Sequence, residues 1–111
     1  MKLKIGYQVY QIDFFKNKKY FDDGNPQSDD SKFYLGRADY IGQIIGCWDV
    51  LKKDAKQHTL AHEIVHVILF QGGYNELNDN ELFVSMMADS ILQIVKDNKK
   101  ELIELFNLKR R

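Results

Sequence analysis

The segment from His62 to His66 reads His-Glu-Ile-Val-His, an H-E-x-x-H motif whose spacing constrains this chain more than any other feature. Residues four positions apart on an α-helix lie one turn apart on the same face, so the imidazoles of His62 and His66 can bind one Zn²⁺ ion. Glu63 lies beside them, where its carboxylate can act as the general base on a water molecule. The motif therefore predicts a helical zinc site with His62 and His66 as metal ligands and Glu63 as the catalytic residue.

The apolar residues around the motif are spaced as in a helix. At 100° per residue they fall within one arc of about 160°, and His62, Glu63 and His66 lie outside that arc. The apolar set consists of Leu60, Ala61, Ile64, Val65, Val67 and Ile68. We therefore expect a helix with one core face and one face that carries the chemistry.

Local signals predict where this helix begins and ends. Asp54 and Gln57 have the spacing of a capping box, which predicts a first helical residue near Ala55. Gly72 and Gly73 follow the apolar pattern, and glycine tolerates the left-handed conformation that often ends a helix. The helix is therefore expected to end near residue 71.

Length, charge and cysteine content limit the classes of protein. The 111 residues are enough for one domain, here expected over residues 1–111. Sixteen basic and sixteen acidic residues give zero formal charge, which disfavours a nucleic acid or an anionic membrane as partner. Cys47 is the only cysteine and the N-terminal residues do not have a signal-peptide pattern, so a cytoplasmic location is expected.

The remaining patterns predict an α+β fold. Alternating residues in 3–14 predict a strand interrupted by a bulge or turn, and residues 33–35 and 40–48 predict two strands joined through 37–39. This gives a small antiparallel sheet of about three strands, packed on the motif helix and on a second long helix near residues 79–96. Residues 102–106 either extend that helix or form another one. Residues 22–31 are expected to be a solvated loop, since they lack the EF-hand spacing for calcium.

Two glycines lie on one face of the predicted 40–48 strand. Gly42 and Gly46 weaken the strand and leave its backbone open to close approach. An edge strand that pairs with an extended peptide and a merely twisted edge explain these glycines equally well.

A catalytic zinc ion needs about three protein ligands, and the third must come from outside the motif. No histidine follows His66, and His58 would lie about 12 Å from His66 along the helix axis, too far to share the metal. The acidic candidates are Glu76, Asp79, Glu81 and Asp89.

Glu81 is the preferred third ligand because it opens the second long helix. Ser85 and Ala88 follow on the same face, and such small residues allow close packing beneath the metal. Asn78 and Glu81 also have capping-box spacing, which would give Glu81 a structural role instead. Glu76 stays open as the third ligand if its loop folds back over the metal.

Residues 59–66, with sequence Thr-Leu-Ala-His-Glu-Ile-Val-His, resemble the zinc motif of small phage and prophage metallopeptidases related to the ImmA/IrrE-type gluzincins. The resemblance covers roughly residues 3–95 and includes residues 35–40 and the Asn80-Glu81 pair before an apolar helix. It implies that Glu81 is the metal-binding glutamate and that the substrate is a protein, such as a repressor. In better-known relatives Ala-Asn commonly follows this glutamate, whereas this chain has Leu82 and Phe83.

The expected function is hydrolysis of peptide bonds in a protein or peptide substrate by a zinc-activated water, with Glu63 as general base. Tyr74, in the glycine loop, is a candidate for stabilising the oxyanion, although an ordinary surface position explains this tyrosine better. The alternative function is a zinc-binding phage regulatory or interaction protein that does not hydrolyse peptides. The sequence does not indicate an oligomeric state.

Overall fold

The computed structural model describes residues 1–16 and 35–109, which form an α+β arrangement of one mixed sheet and several helices. The predicted loop at 22–31, and residues 33–34 of a predicted strand, lie outside the described ranges. The strands run in the spatial order β1-β2-β4-β3, with β2 and β4 parallel and the two outer pairs antiparallel. Their bounds are β1 Lys2–Ile5, β2 Gln8–Phe15, β3 Gly36–Asp39 and β4 Ile44–Trp48.

The observed sheet is mixed, because β2 and β4 are parallel, whereas the predicted sheet was antiparallel. The observed sheet also differs in strand number. It has four strands instead of about three because Gly6, at φ 58°, makes a tight turn that splits the first predicted strand into β1 and β2. The predicted turn at residues 37–39 lies within β3, and the polypeptide turns at residues 40–43 instead. The predicted edge at 40–48 is also wrong, since β4 lies between β2 and β3 and its middle residues are buried. Within the described residues, the edge strand on this side is β3.

Four helices follow the sheet in the described chain, and none of them is both long and apolar enough to span a membrane. Their bounds are α1 Lys53–Gly72, α2 Asn75–Asn78, α3 Glu81–Asp97 and α4 Lys99–Phe106. The sequence did not predict α2, and α4 is a separate helix rather than an extension of α3.

Helix α1 carries the H-E-x-x-H motif and starts slightly earlier than predicted. Its N-cap is Lys52, which makes no side-chain capping bond, so the predicted capping box is wrong. Asp54 nevertheless lies in the first turn, where a negative charge interacts favourably with the helix dipole. At the other end Gly73 has φ 76° and donates its N–H to the carbonyl of Phe70, so a glycine ends the helix as expected.

Helix α1 packs against two layers, and this divides the predicted apolar arc. Val67 belongs to a core beneath the sheet, whereas Val65 and Leu69 pack with α3 in a second core. Ile68, placed in the predicted arc, is 48% exposed. The first core consists of Ile5, Tyr10, Ile12, Ile45 and Val67, and the second of Val65, Leu69, Val84 and Ala88. The third side of α1 carries the motif side chains and lies between β3 and α3.

Helix α3 begins at Glu81, with Asn80 as its N-cap. The side chain of Asn80 accepts a hydrogen bond from the N–H of Phe83 at 3.1 Å. The alternative of a capping box formed by Asn78 and Glu81 is therefore wrong, because Asn80 caps the helix and Asn78 ends α2. Capping does not explain the position of the Glu81 side chain.

The packing of α1 on α3 predicts unequal effects for two valines of the same helix. Val84→Ala should lower the free energy of unfolding by about 1–3 kcal/mol, because Val84 is fully buried and its loss leaves a cavity. Val95→Ala is the matched control, since Val95 is 50% exposed and the change should stay within about 0.5 kcal/mol. Urea denaturation measures both, and equal effects would contradict the packing described.

Candidate metal centre

Three side chains from two helices bring their metal-binding atoms together. Nε2 of His62 lies 2.8 Å from Oε2 of Glu81, and Nε2 of His66 lies 3.2 Å from Oε1 of the same carboxylate. The two Nε2 atoms are 3.1 Å apart. Within the described residues these three side chains form a group that could hold a metal ion. The structure thus brings together the three residues that the sequence analysis named as ligands.

The other ligand candidates lie elsewhere. Glu76 and Asp79 are exposed residues at α2 and do not belong to the cluster. Asp89 contacts His58 instead, with Oδ1 and Nδ1 separated by 2.8 Å. This contact is consistent with the expectation that His58 is not a ligand. The geometry favours Glu81 as the third donor.

The second nitrogen of each histidine also has a partner. Nδ1 of His66 lies 2.5 Å from Oδ1 of Asn78, and Nδ1 of His62 lies 3.3 Å from the hydroxyl of Ser85. Both oxygens can accept a hydrogen bond from a protonated Nδ1. Such a bond leaves the lone pair of each Nε2 directed at the cluster and orients the ring, as outer partners of metal-binding histidines commonly do.

The donor set fits a zinc ion. One ligand atom from each of His62, His66 and Glu81 lies within 4.8 Å of the other two, so a single cation could contact all three. Donors at the usual 2.0–2.1 Å from a tetrahedral Zn²⁺ are separated from one another by about 3.3 Å. The separation of the two Nε2 atoms, 3.1 Å, is close to that value, and each atom lies within 3.2 Å of one oxygen of the Glu81 carboxylate, His62 beside Oε2 and His66 beside Oε1. The described residues supply three protein donors, and a tetrahedral zinc ion held by three has a fourth position for water or substrate.

Glu63 is the only charged side chain that is buried in the described chain, with 8% of its surface exposed. The pKa of its carboxyl group is raised to about 7, chiefly by burial, and the nearby negative charge of Glu81 contributes to this rise. Electrostatic interactions with His66 and then with Arg37 oppose this shift. A carboxyl group with a pKa near neutrality can both take up and release a proton at pH 7, as a general acid–base catalyst must.

The cluster lies in an open pocket of about 530 Å³ between β3 and the helices α1 and α3. Gly36 of β3 lies against α1, since an added Cβ would come within 2.5 Å of Cγ2 of Thr59 and 3.4 Å of Cγ of Glu63. A side chain at this position would force the strand and the helix apart. Because Gly36 has no side chain, β3 can cover Glu63 while the pocket stays open.

Sequence reasoning missed two residues of the pocket region, Tyr40 and Asn78. Tyr40 lines the pocket, whereas Tyr74, the earlier candidate for the oxyanion, is not among its lining residues and is 59% exposed. Burial raises the pKa of Tyr40, so its hydroxyl keeps its proton at neutral pH. The hydroxyl oxygen accepts a hydrogen bond from Nδ2 of Asn78 at 3.1 Å. Spacing linked Asn78 only to capping, and no motif assigned Tyr40 a role at the site.

Comparison of the chain with protein-family models, with curated proteins and with solved structures gives no significant match. The chemistry of this site is therefore inferred from the geometry of the pocket.

The convergence of three donors predicts that the chain binds one Zn²⁺ ion. His62→Ala or His66→Ala should abolish tight binding, because each removes a donor nitrogen. Glu81→Gln should weaken binding by more than the roughly 10–100-fold that loss of an outer hydrogen-bond partner costs. Competition with a chromogenic chelator measures these affinities.

Glu76→Gln is the matched control for Glu81, because Glu76 is an acidic residue of the adjacent helix that lies outside the cluster. Its zinc affinity should equal that of the parent. Lost affinity at position 76 with normal affinity at position 81 would contradict the ligand set.

Proposed function

We propose that this protein is a zinc-dependent metallopeptidase that hydrolyses peptide bonds, with His62, His66 and Glu81 as metal ligands and Glu63 as the catalytic residue. One observation carries the proposal: the three donor atoms converge at an open pocket with a buried carboxylate beside them. A structural zinc site is usually closed by four protein ligands, whereas a catalytic site keeps an open position. Three donors in the described residues, beside an open pocket, support a site of the second kind.

Zinc would supply Lewis acidity at this position, polarising a carbonyl group and lowering the pKa of water. The carboxylate of Glu63 accepts the proton of the attacking water and then delivers it to the leaving amine nitrogen. Its burial beneath β3 restricts access of bulk water, which would otherwise exchange that proton. Hydrogen bonds to Ser85 and Asn78 hold the rings of His62 and His66 in place.

A peptide substrate fits the position of the sheet edge. In the described part of the chain β3 is the last strand on its side, and Gly36, Arg37 and Ala38 line the same pocket as the metal cluster. An extended peptide that adds to β3 by main-chain hydrogen bonds would therefore pass over the donors. This assigns to β3 the peptide-binding role that the sequence analysis gave to residues 40–48.

The proposal includes kinship with the small phage and prophage gluzincins that the motif resembles, and a place in the cytoplasm. The H-E-x-x-H helix followed by a second helix that opens with Glu81 supports the kinship. Cys47 is the only cysteine, and it is free and buried, which suits a reducing compartment.

Glu63 is the residue whose substitution separates a peptidase from a protein that only binds zinc. Glu63→Gln should keep the zinc affinity of the parent, because Glu63 is not a ligand, and should lower peptide turnover by about 10²–10⁴-fold through loss of the general base. Turnover is measured on peptides that the parent cleaves in an unbiased peptide library.

Glu104→Gln is the control for this experiment, because Glu104 is an exposed glutamate on α4, away from the pocket. It should match the parent in zinc affinity and turnover. If Glu63→Gln cleaved peptides at the parent rate, the general-base role would be wrong. If the zinc-loaded parent cleaved no peptide, the non-catalytic alternative would be favoured.

A further inference from the structure

A chain of hydrogen bonds connects the metal cluster to the turn between β3 and β4. Oδ1 of Asn78 lies 2.5 Å from Nδ1 of His66, and Nδ2 of the same amide donates to the Tyr40 hydroxyl at 3.1 Å. Because Nδ2 is the donor end of the amide, Oδ1 must be the acceptor. His66 therefore carries its proton on Nδ1 and directs the lone pair of Nε2 towards His62 and Glu81.

Other contacts fix both ends of this series of hydrogen bonds, Tyr40 and His66. The ring of Tyr40 stacks on Phe70 of α1 with a centroid distance of 4.0 Å and an interplanar angle of 0°. His66 is held by α1, one turn after His62. Asn78 is the last residue of α2, the short helix between α1 and α3. A side chain of α2 thus connects the turn after β3 to the metal ligand on α1.

We propose, on the basis that the cluster binds zinc as above, that Asn78 is a positioning residue that sets the metal affinity through His66 and couples it to Tyr40. The amide fixes which nitrogen of His66 is available to the metal. The Tyr40 hydroxyl in turn holds the amide in place by accepting from Nδ2 while Oδ1 faces His66. Zinc affinity therefore depends on a residue beside the peptide-binding edge.

The two substitutions Asn78→Ala and Asn78→Asp distinguish this role from a merely structural one. Asn78→Ala should weaken Zn²⁺ binding by about 10–100-fold, the usual cost of losing an outer partner of a metal-binding histidine. Asn78→Asp should restore most of the affinity, because a carboxylate can accept from His66 and from the Tyr40 hydroxyl together. Asn75→Ala is the matched control, an exposed asparagine at the start of α2.

A double-mutant cycle tests the coupling to Tyr40. Tyr40→Phe keeps the ring that stacks on Phe70 and removes the hydroxyl, so zinc binding should weaken less than in Asn78→Ala. The double variant should bind zinc no more weakly than Asn78→Ala alone, because the hydroxyl acts through the amide. Chelator competition with Zn²⁺ measures affinity, and thermal unfolding of the metal-free variants shows whether they fold.

The outcomes separate this inference from the proposed function. If His66→Ala loses zinc while a folded Asn78→Ala binds it like the parent, the positioning role is wrong and the metal site stands. Additive losses in the cycle would overturn the coupling to Tyr40. An Asn78→Asp variant as weak as Asn78→Ala would also overturn the role. A parent protein that binds no zinc would overturn both proposals.

Discussion

Helix α1 packs against two layers at once, with Val67 in the core beneath the sheet and Val65 in the core against α3. These contacts fix the rotation of α1 about its axis, because a helix held on two sides cannot turn without breaking both cores. The third side is left facing the pocket, and it is the side on which His62 and His66 lie one turn apart. The candidate metal centre therefore depends on packing that none of its own residues provides.

Burial and exposure are distributed unevenly across the pocket, and this distribution suits the proposed hydrolysis. Glu81 is 65% exposed and lies on the open side, whereas Glu63 is covered by the sheet edge and has a raised pKa. Two carboxylates thus have different surroundings and are suited to different roles, one to metal binding and the other to proton transfer. The close approach of Gly36 produces the difference, since it brings β3 against the helix beside Glu63.

The sequence predicted the local features of the site better than its surroundings. His62, Glu63 and His66 follow from helical periodicity, and Glu81 follows from its position at the start of the next helix. Sheet order was predicted poorly because strand pairing is non-local. The parallel pairing of β2 with β4 left no pattern that a single sequence could reveal. Asn78 was considered only in the alternative of a capping box with Glu81, because spacing alone cannot distinguish a capping residue from one that reaches a neighbouring helix.

X-ray absorption spectroscopy at the zinc edge tests the central claim most directly, on protein loaded with one equivalent of Zn²⁺. The account predicts a first shell of four nitrogen and oxygen atoms at about 2.0–2.1 Å, with the outer-shell scattering of two imidazole rings. Scattering from fewer than two imidazoles, or a sulfur shell at about 2.3 Å that would implicate Cys47, would contradict it.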